Sequence, residues 1–308
     1  MNILFPRHEL YLHAPDEMFE LEYNAAQTLG LKTFLFNHDK FVDEGALSCD
    51  IPNSEVPQAI MLRGYMLKAK QYEVFAGLLS EKNYFLINDA SRYKRCHHSH
   101  ETHHIFGDYA PKIIAVPNLT RDLFDRIFTT ESAQFNLEQI QKDFKSDYFI
   151  LKDSVKSEKD NPEIFKISKN IYPKEFYTKL KKFVEARGKS YNDGLVFKEF
   201  VELKKYPGDK ANEWRAFYLE NKLVSLSQNS GLNAVKIPKP DTKWLDQFAR
   251  VILSNFFTID VAEKEDGTWV VIETGDGQVS GLSPGQNELK FYSEIKKITK
   301  LEIVPNYE

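Results

Sequence analysis

The stretch FFTIDVAEKEDGTWVVIETGDG, residues 256–277, decides the fold. Apolar and polar residues alternate on both sides of Asp266-Gly267, a dipeptide that favours a two-residue type I′ hairpin turn. Counting outward from that turn predicts that Asp260 faces Glu273, with their Cβ atoms roughly 5 Å apart. Two such carboxylates repel each other, and a divalent cation bound to phosphate oxygens is the simplest compensation, because Mg²⁺ typically takes one or two protein carboxylates. The alternative is an exposed hairpin with two ordinary acids.

The composition limits the class of protein. The chain has 308 residues, of which 42% are hydrophobic and 28% charged, and this length suggests two domains. The net charge of −4 gives no overall basic footprint, which argues against a nucleic-acid partner without excluding one. There are two cysteines, the N-terminus has no signal pattern, and no apolar run has the ~20 residues that a membrane span needs. We therefore expect a cytoplasmic protein without a membrane partner.

The chain changes pattern near residues 112–118. Before this point, strands and helices alternate, which predicts a small parallel sheet over about residues 1–115. The absence of GxGxxG gives no sign of a dinucleotide site there. After it come helices, a lysine-rich stretch at 154–163, and several strands that lead to the hairpin. The sequence thus predicts an α/β protein with an N-terminal domain and a second module from 116 to 308.

Two lysines close to a strand end suit a polyphosphate ligand. In FILKDSVKS, Lys152 ends an apolar strand, and Lys156 follows in a polar loop. A polyphosphate needs several positive charges around it, and a lysine that closes an apolar strand must find a partner or reach water. The alternative, which is the stronger one for Lys156 alone, is a pair of solvated lysines.

The segment GLVFKEFVEL, residues 194–203, is a candidate adenine site. Where an extended segment leaves a sheet, its backbone groups can pair with the amino edge of adenine. Phe200 and Val201 then supply backbone contacts and apolar walls, and Glu202 accepts from a ribose hydroxyl. An edge strand with charged ends is the alternative.

Arg215 in NEWRAF can hold an anion bidentately, or it can pair with Glu213 or Glu220. Just past the hairpin, Asp276 adds a third acid. The glycines of the same segment either let the backbone approach a ligand or are ordinary loop residues; they are Gly275, Gly277 and Gly281.

Two further features carry less weight. Cys96 and five histidines between His97 and His104 cluster tightly, but their spacing matches no zinc motif, so a polar loop or substrate contacts are favoured over a metal site. Arg63 closes a strand, where open α/β sheets place ligand groups. It can hold a substrate carboxylate or pair with an acid on a helix.

The order of these motifs resembles that of the ATP-grasp family over about residues 116–308: strand lysines, EFVEL, a strand arginine, and then an aspartate and a glutamate on paired strands. Within the family, RGYML, ILKDSVKS, FKEFVEL, EWRAF and ETGDGQVSGL look most like a small branch, common in bacterial and phage genomes, that is suspected of peptide or amide ligation.

The resemblance implies a pre-ATP-grasp domain at 1–115, a lid lobe at about 116–198 and a C-terminal lobe at about 199–308, with ATP and Mg²⁺ as cofactors. It implies nucleotide contacts by the residues of the lid strand and the hinge, namely Lys152, Lys198, Glu199, Phe200, Val201 and Glu202. Arg215 and Lys156 would stabilise the transferred phosphate. Asp260 and Glu273 would bind magnesium, with Asp276 as a further ligand because Gly275 stands where the wider family often has Asn. The lid loop, SVKSEKDNP, lacks the usual glycines, so lysines would replace backbone N–H groups around the phosphates.

The reaction implied is the ATP-dependent activation of a carboxylate as an acyl phosphate, which an amine or another nucleophile then attacks. The substrates would be a small-molecule or peptide carboxylate and an amine-type acceptor, with Arg63 as a candidate substrate contact. The alternatives are a phosphotransferase or nucleotidyl-type enzyme on another acceptor, such as a nucleic-acid end, and a non-catalytic nucleotide-binding protein.

Overall fold

A parallel sheet begins the chain, as the alternating pattern predicts. The computed structural model describes residues 1–232 and 236–299. Its first elements are β1 (Asn2–Pro6), α1 (Glu20–Thr28), β2 (Lys32–Phe36), α2 (His38–Glu44), β3 (Gln58–Leu62), α3 (Ala69–Ser80), β4 (Tyr84–Leu86) and α4 (Ala90–His97). The four strands lie in the order β2-β1-β3-β4, and every neighbouring pair is parallel. The prediction of a small parallel sheet is therefore confirmed.

The strands of this sheet are apolar on both faces because helices cover both. Ile3, Leu4 and Phe5 are all fully buried. Ile3 and Phe5 belong to a core shared with Phe217 and Phe291, whereas Leu4 packs into a second core on the other face. Burial on both faces is typical of parallel strands.

A second sheet is antiparallel. The elements of this part are α5 (Ser99–Thr102), β5 (Ile113–Pro117), α6 (Arg121–Ile127), α7 (Thr130–Asp143), β6 (Tyr148–Asp153), α8 (Pro162–Phe165), β7 (Lys166–Ser168), α9 (Pro173–Arg187), β8 (Gly194–Glu199), β9 (Lys205–Tyr206) and β10 (Lys210–Ala211). Four strands form the order β5-β8-β6-β7, and β9 pairs with β10. One face of the larger sheet packs on α7 and α9 through a phenylalanine-rich core.

The remaining elements are β11 (Glu213–Leu219), β12 (Lys222–Gln228), α10 (Thr242–Ala249), β13 (Phe256–Glu263), β14 (Trp269–Asp276) and α11 (Glu288–Thr299). Their strands lie in the order β12-β11-β13-β14. The chain divides into two compact units: the first unit contains residues 1–96, 212–261 and the chain from 274, and the second contains 97–211 and 262–273. The boundaries predicted near 115 and 198 differ from this division and stay a prediction. No helix among residues 1–232 and 236–299 has the length and apolarity to cross a membrane.

The turn between β13 and β14 differs from the predicted one. The Gly267 N–H donates to the Lys264 carbonyl at 2.9 Å, and the Lys264 N–H donates to the Thr268 carbonyl at 2.8 Å. Gly267 has a φ of 79°, and Asp266 accepts from the Thr268 N–H. Three residues, 265–267, therefore separate the paired residues Lys264 and Thr268, and the prediction of a two-residue type I′ turn was wrong. Lys264 stands opposite Thr268, so the predicted turn does not fix the pairing further along the strands, and the opposition of Asp260 and Glu273 stays a prediction.

Candidate functional site

Two lysines share one face of the antiparallel sheet in the second unit. Lys152 lies opposite Val196, and Lys198 lies opposite Ile150. Because directly opposed residues and residues two apart share a face, both lysines lie on the face away from the phenylalanine-rich core. The intervening residues, such as Leu151 and Phe197, point into that core and are fully buried. The alternation of this strand pair thus places two cations side by side.

Both lysines contact the middle of β14. The Lys152 ammonium, in a residue only 6% exposed, lies 2.8 Å from a Glu273 carboxylate oxygen, and Lys198 donates to the Ile272 carbonyl. Burial alone would raise the pKa of Glu273, but Lys152 and Lys198 hold it below its usual value. The carboxylate therefore stays ionised and satisfies a buried ammonium that would otherwise be costly.

The loop after β6 is organised by Asp153, which the sequence reasoning missed. Its fully buried carboxylate accepts from the N–H groups of Val155 and Lys156 at 2.7 and 2.6 Å. The other carboxylate oxygen accepts from Arg187 and from the Asn192 N–H, each at 3.0 Å. An aspartate at the end of a strand, with a serine next, is a recognisable signal for such a turn. The turn leaves Lys156 exposed in a defined position.

Part of the predicted adenine segment forms hydrogen bonds within the protein. Glu199 accepts from the N–H groups of Lys145 and, at 2.9 Å, Ser146. The Phe200 N–H donates to the Tyr148 carbonyl at 3.0 Å. Glu202 remains largely exposed, 3.9 Å from the Lys166 ammonium. The Glu199 side chain thus fixes the loop before β6, and the contacts of 200–202 with a nucleotide stay a prediction.

In the first unit, Arg215 and Asp260 form a bidentate ion pair across the neighbouring strands β11 and β13. Arg215 Nε lies 2.8 Å from Oδ1 of Asp260, and Nη2 lies 2.6 Å from Oδ2. Arg215 Nη1 also donates to the Gly281 carbonyl at 2.9 Å. The partner of Arg215 in this pair is Asp260, not the Glu213 or Glu220 considered from the sequence. The planar fork of arginine fits this carboxylate well, and it holds Asp260 in one orientation.

Asp276 lies in a fully buried polar network. Its Oδ2 accepts from Asn88 Nδ2 at 2.5 Å, and its Oδ1 accepts from the Gln278 N–H at 2.9 Å. Burial raises the pKa of Asp276 to about 7 despite these hydrogen bonds. Asn88 also accepts from the N–H groups of Asn255 and Phe256, so it holds the start of β13. No local pattern in the sequence points to Asn88.

The glycines after β14 differ in what they contact. A Cβ at Gly277 would lie 2.7 Å from the ring of Phe256, and one at Gly275 would lie 2.8 Å from the hydroxyls of Thr258 and Ser280. At Gly281 a Cβ would meet nothing within 4 Å. Gly275 and Gly277 are therefore required by contacts within the protein.

Arg63 is also buried within the first unit. It has no exposed surface and forms a bidentate pair with Glu22 at 2.9 and 3.0 Å. It donates to the carbonyls of Gly277 and, at 2.9 Å, Ser280. Of the two sequence interpretations, pairing with a helix acid is the one observed, and a substrate contact by Arg63 stays a prediction.

The histidine cluster contains two buried rings. His97 and His98 are 8% and 7% exposed. Burial, with a contribution from neighbouring cations, lowers the pKa of His97 to about 3 and that of His103 to about 4, so both are neutral at physiological pH. Throughout residues 1–232 and 236–299, no three His, Cys, Asp or Glu side chains come together as a metal-binding group.

The donor chemistry nevertheless fits magnesium at two of the three predicted acids. Asp260 and Glu273 are carboxylates paired with cations, and carboxylate oxygen is the ligand type that Mg²⁺ takes, one or two at a time. Asp276 fits less well, because it is fully buried and its hydrogen-bond donors are the uncharged Asn88 amide and Gln278 N–H rather than a cation.

Solved structures with the same overall fold include ligases and synthetases. The crystal structure of D-cycloserine synthetase DcsG has a TM-score of 0.61 at 10% identity, and the match covers 97% of this chain and 99% of that one. The macrocyclase MdnC bound with precursor peptide MdnA from Microcystis aeruginosa MRC has a TM-score of 0.55 at 13% identity, over 97% and 100% of the two chains. The D-alanine-D-alanine ligase from Coxiella burnetii has 0.54 at 12% identity, over 98% and 97%. Identities this low show a shared fold.

No curated protein is significantly similar to the chain in sequence. Residues 91–295, two thirds of the chain, match the model of an ATP-grasp domain family, the third family of its clade. This range includes the paired lysines, the Arg215–Asp260 pair and Glu273. The resemblance noted in the sequence is thereby confirmed, and the chain belongs to the ATP-grasp family.

Proposed function

We propose that the protein is an ATP- and magnesium-dependent ligase that activates a carboxylate as an acyl phosphate for attack by an amine. The observation that carries this proposal is the pairing of the two acids with cations: Glu273 with Lys152, beside Lys198, and Asp260 with Arg215. Solved ligases of the same fold include PsnB, whose structure is described with a precursor, Mg and ADP.

The residues take the following roles in the proposed reaction. Lys152 and Lys198 supply positive charge to nucleotide phosphates, because they share one sheet face. Arg215 is oriented by Asp260 and by the Gly281 carbonyl. Its guanidinium is therefore preorganised to stabilise the negative charge that develops on the phosphoryl group during its transfer. Lys156 adds a further positive charge at the loop that Asp153 organises. The residues 200–202 hold the adenosine.

Magnesium on Asp260 and Glu273 would neutralise phosphate charge. In the first step, a substrate carboxylate oxygen forms a bond to the γ-phosphorus, and the bond to the β–γ bridging oxygen breaks to release ADP. In the second, the amine nitrogen attacks the acyl carbon, loses a proton, and displaces inorganic phosphate. Neither step needs a nucleophilic side chain, so the protein acts by positioning and charge stabilisation.

Trapping with hydroxylamine tests the acyl phosphate directly. The protein is incubated with Mg-ATP, a pool of candidate carboxylates and hydroxylamine in place of the amine, and ADP, AMP and hydroxamates are measured by mass spectrometry. We expect ADP and hydroxamate in equal amounts. ADP without hydroxamate indicates a kinase, AMP indicates nucleotidyl transfer, and thermal stabilisation by Mg-ATP without turnover indicates a binding protein.

Charge-removing variants connect the product to the site. Asp260→Asn and Glu273→Gln each remove one proposed magnesium ligand, and we expect ADP formation to fall by at least about 100-fold, as for other preorganised electrostatic groups. Asp122→Asn is the matched control, because Asp122 is 74% exposed and its one ion pair among the described residues is with Arg126, four residues along the same helix. Normal turnover in both site variants contradicts the proposal.

A further inference from the structure

The loop between β6 and α8 folds back on the strand that precedes it. The Asp153 N–H donates to the Lys156 carbonyl at 2.8 Å, and Lys152 forms an antiparallel bridge with Ser157. The N–H groups of Val155 and Lys156 both donate to Asp153 Oδ1. Two N–H groups of the predicted phosphate loop are therefore engaged within the protein, which leaves side chains such as Lys156 to contact a phosphate at this turn.

Arg187, the last residue of α9, connects two points of this loop. Its Nε donates to Asp153 Oδ2 at 3.0 Å, and its Nη1 donates to Glu158 Oε1 at 2.9 Å. Its Nη2 donates to the Ser190 carbonyl at 3.0 Å, so each nitrogen of the guanidinium has an acceptor. The planar fork of arginine holds two carboxylates in fixed positions, which the single ammonium of lysine does less well. We call the contacts of Arg187 with Asp153 and Glu158 the Arg187 bridge.

The two carboxylates of the Arg187 bridge differ in burial. The Asp153 side chain has no exposed surface, and the Arg187 side chain is 13% exposed. The Glu158 side chain is 22% exposed. Because a buried carboxylate needs its cation, Asp153 keeps Arg187 in place, and Arg187 in turn holds Glu158 and the loop that carries it. A change at Glu158 therefore releases the loop and leaves the buried pair intact.

The start of the loop also packs against the segment that leads into β8. The Ser154 N–H donates to the Asn192 carbonyl at 3.2 Å, and the Ser154 hydroxyl donates to the Asp193 carbonyl at 2.8 Å. A Cβ at Gly194 would lie 2.5 Å from Ser154 Oγ, so this close approach requires glycine. The Ser99 N–H donates to the Ser154 carbonyl at 2.9 Å. Contacts within the protein thus fix the start of the loop, and the Arg187 bridge extends this to Glu158.

We propose that Arg187 is a positioning residue of the nucleotide site: the Arg187 bridge holds the loop after β6, and Lys156 with it, in its phosphate-binding position before a nucleotide binds. ATP then meets a loop that is already ordered. If the loop held this position only a tenth of the time, the dissociation constant for ATP would be about tenfold larger. That the loop contacts ATP rests on the proposed function; the Arg187 bridge itself does not.

Calorimetry on Glu158→Gln and Arg187→Lys tests this role, with Mg²⁺ plus a non-hydrolysable ATP analogue as one ligand and adenosine as the other. We expect the dissociation constant for the analogue to rise about tenfold in each variant, and that for adenosine, which has no phosphates, to stay within about twofold. Glu158→Gln removes a negative charge, which by Coulomb attraction alone would strengthen phosphate binding, and Arg187→Lys keeps the charge. Weaker binding by both variants therefore indicates a lost position rather than a changed charge.

Two further measurements connect the effect to the loop. Lys156→Gln should also weaken binding of the analogue, and Glu158→Gln should cost less in that variant than in the wild type, because the Arg187 bridge acts through Lys156. Hydrogen exchange of the nucleotide-free protein, followed by mass spectrometry, should be about tenfold faster at the N–H groups of Val155 and Lys156 in Arg187→Lys. In the hydroxamate assay, KM for ATP should rise in Glu158→Gln while kcat stays close to that of the wild type.

Glu163→Gln is the control, because Glu163 is an exposed acid on the neighbouring helix α8 and the substitution removes the same charge. It should not weaken binding of either ligand. Unchanged dissociation constants in Glu158→Gln and Arg187→Lys, or equal losses for the analogue and adenosine, overturn the proposal. Weaker binding of the analogue by these variants without any hydroxamate supports the role of Arg187 and refutes the ligase. Hydroxamate formation with an unchanged KM for ATP in both variants does the reverse, and no binding of the analogue by the wild type refutes both.

Discussion

Replacing Arg63 by methionine distinguishes a packing role from a substrate role. Arg63 is fully buried and balances Glu22, which also accepts from the Tyr292 hydroxyl at 2.6 Å. Removing the guanidinium leaves the buried Glu22 carboxylate without its cation and two loop carbonyls, those of Gly277 and Ser280, without a donor. Breaking a buried ion pair by removing one partner typically costs about 3–5 kcal/mol. With an m-value of about 3 kcal/mol/M, the urea midpoint should fall by roughly 1 to 1.7 M.

The matched variants make this measurement specific. Glu22→Gln combined with Arg63→Met removes both charges, so the double variant should be more stable than Arg63→Met alone by about 1 kcal/mol or more. Arg126→Met, at an exposed helix position, should stay within about 0.5 kcal/mol of the wild type. Unfolding is followed by circular dichroism and tryptophan fluorescence. If Arg63→Met changes the free energy of unfolding by less than about 1 kcal/mol and instead raises KM for a carboxylate substrate, the packing argument is refuted.

Two further stability predictions concern the segment after β14. Gly277→Ala should cost about 1–3 kcal/mol because its Cβ would overlap the Phe256 ring, whereas Gly281→Ala, with open space, should be near neutral; equal urea midpoints for the two contradict this. The second follows from Asp276: because burial raises its pKa to about 7, the folded protein holds a proton between about pH 4 and pH 7 that the unfolded chain has released. The contribution of Asp276 to the free energy of unfolding is therefore fully present at low pH and decreases as the pH rises through that window, by on the order of a few kcal/mol. Asp276→Asn should remove this decrease in stability when urea midpoints are compared from about pH 4 to pH 8. Identical pH profiles for the two proteins would show that Asp276 does not titrate there.

The sequence predicted an element correctly where the residues that determine it lie together in one short stretch. Apolar strands that alternate with helices predicted the parallel sheet, and the order of lysines, arginine and acids indicated the ATP-grasp family. The prediction of the turn failed because Asp-Gly occurs in more than one type of hairpin connection. A glycine at positive φ also ends a three-residue connection, and the Asp266 carboxylate supports that form by accepting from the Thr268 N–H at 2.9 Å and its hydroxyl at 2.6 Å.

The contacts that organise the candidate site are distant in sequence, which is why the sequence could not show them. Asn88 and Asp276 are separated by 188 residues, and Arg63 and Ser280 by 217. Nothing near Asn88 distinguishes it from an ordinary loop residue. Lys152, by contrast, was found because a charged residue closing an apolar strand is visible locally, although its partner Glu273 was not.

The segment DGQVSG, residues 276–281, shows what the N-terminal sheet contributes to the chemistry. Arg63 holds the carbonyls of Gly277 and Ser280, and the Gly64 N–H donates to the Gln278 carbonyl at 3.1 Å, so the end of β3 fixes this segment. Its last residue, Gly281, in turn accepts from Arg215, which orients Asp260. Residues of the sheet domain therefore determine the position of the arginine proposed to act on phosphate. It follows that a change at Arg63 should reduce turnover even when substrate binding elsewhere is intact, because Arg215 loses the carbonyl that positions it.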